Sequence, residues 1–343
     1  MIIRACLGVG GAFLAATAPA NAGPLEQAYL QFLTGAGARA YPVVQLTWIV
    51  LGISVAVMVI IGALVVAASL RRKTSPSGFG GKLPVAREPG GLAWIYVGTG
   101  ISTLVLLAVS VSTMVTLSAV AKPPNQPGLS IEVHGHQWWW EALYVSPQPA
   151  KMFRTGNDFH IPVGLPVEIK LIGDDVIHSF WVPALSGKMD TVPGQTNTLW
   201  IEADKPGTYR GQCTEYCGEQ HAHMGFTVTA DEPEAFQAWW THQLEPAPEP
   251  SNTAAQQGEA TFVTRCGACH AVGGTDARGI VGPNLSHLMQ RKSLAAGTLP
   301  NNPVQLAAWI ADPQHIKPGN FMPRLEISGP DLASIQSFLQ TLN

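Results

Sequence analysis

Two long runs without a charged residue constrain the fold of this chain more than any other feature. Residues 42–70 and 89–121 contain no Asp, Glu, Lys or Arg. Each run exceeds the ~20 apolar residues that a helix needs to cross the hydrocarbon core of a membrane. The sequence therefore predicts a two-helix transmembrane hairpin within residues 23–122, with helices at about 42–70 and 90–121. Two buried core helices are the alternative, but a soluble core seldom needs runs of this length.

The segment between the two runs indicates the orientation of the hairpin. It is rich in basic residues: Arg71, Arg72, Lys73, Lys82 and Arg87. Short loops rich in Lys and Arg stay in the cytoplasm. We therefore expect an inner (plasma) membrane protein of a bacterium, with everything after Lys122 on the periplasmic or outer side.

The first 22 residues resemble a secretory signal peptide. Arg4 precedes a short apolar core, and Ala20-Asn21-Ala22 is a small-residue cleavage site. The apolar core is too short for a further transmembrane helix. The net charge of −3 argues against a nucleic-acid partner.

The stretch QCTEYCGEQHAHM holds two Cys, two His, two Glu and a Met within thirteen residues. Thiolate and imidazole groups bind copper, and a thioether favours copper in particular. Cys213 and Cys217 could instead form a disulfide in an exported protein, or the loop could bind zinc. His221 and Met224 follow at regular spacing and His178 lies upstream, so the sequence favours copper. A blue-copper site uses one Cys, so the second thiolate indicates two bridged coppers.

Residues 123–243 show the pattern of an all-β domain. Short runs rich in β-branched and aromatic residues, at 130–133, 167–172, 198–201 and 226–229, are separated by Gly and Pro turns. A cupredoxin-like β-sandwich fits this pattern. Strand alternation predicts Trp138 and Trp140 on one face and Trp139 on the other. His134 and His136 are interpreted as structural.

At this point the chain resembles a known family. C-x-E-x-C-x3-H-x2-M with an upstream DVxHSxxVP is similar to the binuclear CuA centre of cytochrome c oxidase subunit II. The resemblance implies as copper ligands His178, Cys213, Cys217, His221, Met224 and the backbone carbonyl of Glu215. In the family the Glu215 side chain also reaches a magnesium ion shared with subunit I. GHQWxW resembles the aromatic patch of the family, which implies that electrons enter the copper centre at Trp138. His223 matches no ligand position.

The last ninety residues carry a second motif. After a Pro-rich linker at 244–252, Cys266-Gly267-Ala268-Cys269-His270 is the CxxCH signature for attachment of haem c, although such a short motif also occurs by chance or binds zinc. A helix at 254–265, GPNL and KPGNFMP complete a pattern that resembles class I cytochrome c. This implies an all-α domain over 253–343, with Cys266 and Cys269 bonded to haem and His270 and Met322 as axial ligands. Met289 and His315 are rival distal ligands.

Together the resemblances imply a multidomain subunit II of a caa-type cytochrome c oxidase, the electron-entry subunit of an enzyme. Electrons would pass from cytochrome c or another donor through haem c and CuA to subunit I, where dioxygen is reduced to water with proton pumping. The alternatives are a CuA subunit of a nitric oxide reductase and a freestanding membrane-anchored electron carrier. A quinol oxidase subunit is disfavoured, because it would not need an intact copper ligand set.

Two positions depart from the family pattern. Gly91 stands where many members have a Glu before the Trp that opens the second helix, and Glu88 lies three residues earlier. Gln195 stands where the family usually has Arg. A role for Glu88 in proton uptake is therefore in doubt.

Overall fold

A computed structural model describes residues 30–71 and 91–343 of the chain. The predicted signal peptide, most of the basic loop and Glu88 lie outside the described residues. Two helices, α1 (Ala40–Leu70) and α2 (Gly91–Ala121), contact each other and are each long and apolar enough to cross a membrane. Their apolar side chains are mostly exposed, as expected of helices that face lipid or another membrane subunit. Both predicted helices are confirmed, with ends shifted by at most two residues.

The outer ends of the two helices are attached to the β-domain by hydrogen bonds. Just before α1, the Arg39 Nη1 donates to the Trp200 carbonyl at 2.9 Å. At the end of α2, the Val120 carbonyl accepts from the Trp200 indole N–H at 3.0 Å. The N-terminus of α1 and the C-terminus of α2 therefore meet the same strand, which holds the β-domain against one end of the hairpin.

The predicted all-β domain is a sandwich of two five-stranded sheets. One sheet has the order β3-β2-β1-β5-β8 and the other β4-β10-β9-β6-β7. The strands are β1 (Leu129–His136), β2 (Trp139–Val145), β3 (Phe153–Gly156), β4 (Asp158–Pro162), β5 (Val167–Gly173), β6 (His178–Trp181), β7 (Met189–Thr191), β8 (Asn197–Ile201), β9 (Gly207–Cys213) and β10 (Gly225–Asp231). Burial alternates strictly along β5, as expected of a strand with one face on a core.

Aromatic rings fill the space between the two sheets. Trp140, Phe180 and Phe226 are fully buried and contact one another, with ring centroids 4.6 Å apart for Phe180 and Phe226. Trp140 also meets the ring of His178 edge-on at 5.8 Å. The core therefore extends to one of the predicted ligands and fixes its ring.

The tryptophan run is not one continuous strand. β1 ends at His136, the chain turns at residues 137–138, and β2 begins at Trp139. The single extended segment that the alternation argument assumed is therefore interrupted by a turn. Trp138 and Trp140 are nevertheless both buried, while Trp139 is half-buried and stacks on His136 at 4.5 Å.

The C-terminal domain is helical, as predicted. After α3 (Pro233–Gln243) its elements are α4 (Thr253–Arg265), β11 (Ser293–Leu294), β12 (Leu299–Pro300), α5 (Pro303–Ala311), α6 (Pro313–Ile316) and α7 (Gly329–Leu339). Asn252 caps α4, accepting a hydrogen bond from the Ala255 N–H at 2.8 Å. The predicted linker 244–252 has no helix or strand, and its Ala247 N–H donates to the Gly273 carbonyl at 3.0 Å.

Close packing of α4 on α7 depends on a glycine. A methyl group at Gly258 would lie 1.9 Å from the carbonyl oxygen of Ser334, so Gly258→Ala must push the two helices apart. We expect the variant to lower the free energy of unfolding of this domain by about 1–3 kcal/mol, the usual cost of overpacking. Thermal unfolding of the full chain, followed by circular dichroism, measures this. Gly329→Ala is the control, since no atom lies within 4 Å of its added methyl group. Equal stability of the two variants would contradict the expectation.

Candidate copper and haem sites

The predicted copper ligands come from two neighbouring strands and one loop. His178 opens β6 and Cys213 ends β9, and these strands pair so that Phe180 lies opposite Cys213. The chain then loops through Cys217 to a short 3-10 turn at His221–His223, and Met224 precedes β10. Residues far apart in sequence thus reach one end of the sandwich.

The two cysteine sulfurs lie at the centre of the group. The Cys213 and Cys217 Sγ atoms are 3.8 Å apart, and both thiols are free. His178 Nδ1 lies 4.0 Å from the Cys213 Sγ, and the Glu215 carbonyl oxygen lies 3.3 Å from it. Both other predicted ligands adjoin the Cys217 Sγ instead: His221 Nδ1 at 3.5 Å and Met224 Sδ at 3.8 Å. The structure therefore brings all six predicted donor groups together, with a sulfur pair between two sets of outer donors.

Electrostatics favour a cation between the sulfurs. The pKa of Cys213 is lowered to about 4, chiefly by the hydrogen bond from the Cys217 thiol. The pKa of Cys217 is raised, chiefly because its thiol donates that hydrogen bond to Cys213, and further because burial and the neighbouring thiolate disfavour a second negative charge. The pair alone thus holds one negative charge. A second thiolate needs positive charge nearby, which bound metal ions supply. The soft, buried donor set fits copper.

Polar groups around the ligands orient them. His178 Nε2 lies 2.8 Å from a carboxylate oxygen of Asp175, which leaves Nδ1 directed at Cys213. The Trp138 indole N–H and the Gln137 side-chain amide both donate to the Cys217 carbonyl, at 2.9 and 2.7 Å. Sequence reasoning assigned no role to Asp175 or Gln137. The spacing of Asp three residues before His178 was the available signal.

Asp175→Asn should weaken copper binding about 10- to 100-fold, the usual effect of removing a partner that orients a metal-binding His. The physical reason is that the amide cannot hold the His178 ring in one tautomer. Competition with a copper chelator measures the affinity. Asp174→Asn is the matched control, because Asp174 contacts His134 and His136 and neither is a predicted ligand. An affinity loss equal to that of the control would count against the orienting role.

The CxxCH segment presents a histidine suited to bind iron. α4 ends directly before Cys266, and Cys266 and Cys269 are half-buried free thiols. His270 Nδ1 lies 2.9 Å from the Pro283 carbonyl, which leaves Nε2 for a metal. Burial lowers the pKa of His270, so the imidazole is neutral and can act as a ligand. A methyl group at Gly282 would come within 2.5 Å of this ring, so the close approach requires glycine.

Exposed apolar side chains flank both predicted axial ligands. Ile280 and Val281, just before Gly282, are 78% and 65% exposed, and Phe321, beside Met322, is 69% exposed. Haem is the kind of apolar ring that would cover such side chains, so the residues present fit haem c. Asn320 and Gln314 hold the Met322 backbone at 2.8 and 2.7 Å.

The rival distal ligands are placed differently. Met289 packs against the apolar core of the helical domain, and His315 is exposed on α6. His223, which matched no ligand position, has its Nδ1 2.8 Å from the Gln220 side-chain oxygen. The Glu215 carboxylate is exposed and lies 3.7 Å from the Lys188 ammonium. The rival ligand roles of Met289 and His315 and the magnesium role of Glu215 stay predictions.

The sequence has relatives in two families. It matches the family described as cytochrome c oxidase subunit II, periplasmic domain, over residues 142–231, and the cytochrome c family over residues 255–343. Cytochrome c oxidase subunit 2 of Alkalihalophilus pseudofirmus is 42% identical over 244 residues, which is 70% of this chain and 69% of that protein. The protein of the same name from a Bacillus species is 34% identical over 244 residues, covering 66% and 67%. The crystal structure of the periplasmic domain of subunit II of cytochrome oxidase of Bradyrhizobium japonicum has a TM-score of 0.33 and 30% identity, covering 35% of this chain and 95% of that one.

Proposed function

The chain belongs to the cytochrome c oxidase subunit 2 family, and from this membership we propose that it carries electrons through haem c and a binuclear CuA centre to oxidase subunit I. It is a subunit of an oxidase enzyme with a copper domain and a cytochrome c domain. The observation that carries the proposal is the sulfur pair, with separate outer donors beside each sulfur. A nitric oxide reductase subunit or a freestanding carrier is not favoured by the family membership.

When bound, copper and haem iron each supply a centre that takes up and releases one electron reversibly. The residues of the chain hold those centres in place. The residues that would hold two coppers are Cys213, Cys217, His178, His221, Met224 and, by its carbonyl, Glu215. His178, Cys213 and Met224 are almost fully buried, so water is kept from the copper and the strands resist rearrangement when the charge changes.

In the helical domain Cys266 and Cys269 would attach haem covalently, and His270 and Met322 would be its axial ligands. A His/Met pair raises the reduction potential, which suits a carrier that passes electrons to copper. The donor would be a cytochrome c or another electron carrier that delivers to this haem. Trp138, hydrogen-bonded to the Cys217 carbonyl, would be the entry point to copper.

The remaining surfaces suit a membrane complex. The exposed faces of α1 and α2 would contact lipid and subunit I, with both soluble domains on the outer side of a bacterial inner membrane. Exposed beside the copper site, the Glu215 carboxylate would reach a magnesium ion shared with subunit I. Carboxylate oxygens are ligands that magnesium prefers.

The test uses the full chain, matured with haem, loaded with copper and kept in detergent. We expect two coppers and one haem iron per chain, and an electron paramagnetic resonance spectrum in which one unpaired electron is shared by two coppers. The purified complex should consume dioxygen rather than nitric oxide. A single copper with a mononuclear spectrum, or no copper and a Cys213–Cys217 disulfide, would refute the CuA assignment.

A further inference from the structure

The loop that carries Met322 lies directly on the copper domain. Gly319, with φ of +78°, comes so close that a methyl group there would be 3.6 Å from the Trp138 ring and 2.9 Å from a Glu219 oxygen. The Gln220 side-chain amide, next to the predicted ligand His221, donates to the Pro318 carbonyl at 2.8 Å. Only 7% of Trp138 is exposed. The predicted entry residue is therefore covered by the chain's own haem-binding domain.

A buried lysine forms hydrogen bonds to both domains where the Met322 loop meets the copper domain. The Lys317 side chain is 2% exposed, and its ammonium donates three hydrogen bonds. Two go to the copper domain, to the Trp138 carbonyl at 2.8 Å and the His223 carbonyl at 2.7 Å, and one goes to Ala295 of the helical domain at 3.1 Å. An ammonium has three N–H groups, so all of its donors are used.

The neighbouring backbone supports a specific contact rather than a loose one. Ala295 and Ala296 both have positive φ, 51° and 57°, which non-glycine residues adopt only where the surroundings hold them. The Ala296 carbonyl accepts from the Gly225 N–H, directly after Met224, at 3.1 Å. Segments next to the predicted ligands of both centres thus meet at Lys317.

We propose that Lys317 is a positioning residue, which fixes the Met322 loop on Trp138 and thereby sets the rate of electron transfer between haem c and copper. The inference rests on the proposed function. One electron leaves the iron held by His270 and is gained by the copper held at Cys217, without any bond or proton changing. Lys317 Nζ donates to the Trp138 carbonyl, and the indole N–H of the same tryptophan donates to the Cys217 carbonyl. Two hydrogen bonds and the covalent bonds of Trp138 therefore connect Lys317 to Cys217. Electron tunnelling falls steeply across gaps between atoms, so loss of the lysine contacts should slow the transfer.

The test compares Lys317→Met with wild type in the full, haem- and copper-loaded chain. Methionine fills similar space but cannot donate a hydrogen bond to any of the three carbonyls. After rapid photoreduction of haem, we expect haem-to-copper transfer to slow at least tenfold, with the copper spectrum and both reduction potentials unchanged. A second readout is independent of electron transfer. Amide hydrogen exchange at Gly225 and around Ala296 should speed up, because the domains separate more often.

Lys292→Met is the matched control. Lys292 also bridges the two domains, but by an exposed contact to the Thr208 hydroxyl at 2.7 Å, and its removal should leave the transfer rate within twofold of wild type. Lys317→Gln, smaller and also uncharged, is a second variant in case Lys317→Met accumulates poorly.

The outcomes separate this inference from the proposed function. An unchanged rate in a Lys317 variant with both centres intact would overturn the positioning role. Loss of copper or haem from both Lys317→Met and Lys317→Gln would also overturn it, because the lysine would then be needed for folding of that centre. Absence of haem-to-copper transfer in the wild-type chain would refute the proposed function itself.

Discussion

Cys217→Ser should reduce the copper content from two ions per chain to at most one and stop electron delivery to dioxygen. The Cys217 Sγ lies between Cys213, His221 and Met224, so its loss removes an atom that would hold both of the proposed coppers. A serine hydroxyl is a hard, mostly protonated donor and a poor substitute for a thiolate on copper. Removal of one residue that only orients a metal ligand already costs about 10- to 100-fold in metal affinity, so loss of a ligand shared by both coppers should lower dioxygen consumption by about a hundredfold or more.

Copper analysis and oxygen consumption of the purified complex measure this effect. Cys269→Ser is the matched control, because it removes a thiol of the same chemistry from the other domain. It should leave two coppers in place and instead weaken covalent attachment of haem. A Cys217→Ser complex that retained two coppers and full oxygen consumption would show that the centre is built from other residues.

Met322→Leu should lower the reduction potential of haem by about 100 mV or more, since axial ligands alone move haem potentials across roughly 0.8 V. Leucine keeps the apolar volume of the side chain but has no sulfur to bind iron. Because the lower potential makes the haem a stronger reductant but a poorer electron acceptor, reduction by the donor should become limiting. Potentiometric titration of the haem absorption in the full chain gives the shift.

Met289→Leu is the control, since Met289 packs in the core of the same domain. The substitution conserves volume and should leave the haem potential unchanged. A shift with Met289→Leu and none with Met322→Leu would transfer the distal role to Met289. If neither variant shifts the potential, His315→Ala tests the remaining rival.

Local sequence patterns were sufficient for the division of the chain. The uncharged runs predicted α1 and α2 because a helix in lipid must satisfy its backbone internally and expose only apolar side chains. The four predicted strand segments all fall within β1, β5, β8 and β10. The ligand set could be proposed because most of its members lie in one loop, where the residue types and their spacing indicate a metal site. Alternation grouped Trp138 with Trp140, and both are buried, but it did not predict that a turn interrupts the strand at residues 137–138, because this turn contains neither Gly nor Pro.

The sequence by itself therefore determined the two long apolar helices, the β-domain and the helical domain, and it predicted which side chains could hold copper and haem. Tertiary structure alone decided what surrounds them. That Asp175 orients His178, that Trp138 lies beneath the Met322 loop, and that Lys317 joins both domains depend on contacts between residues up to 179 positions apart. Such contacts arise when separate cores pack together, and neither periodicity nor motif spacing contains information about which surface of one domain will meet the other.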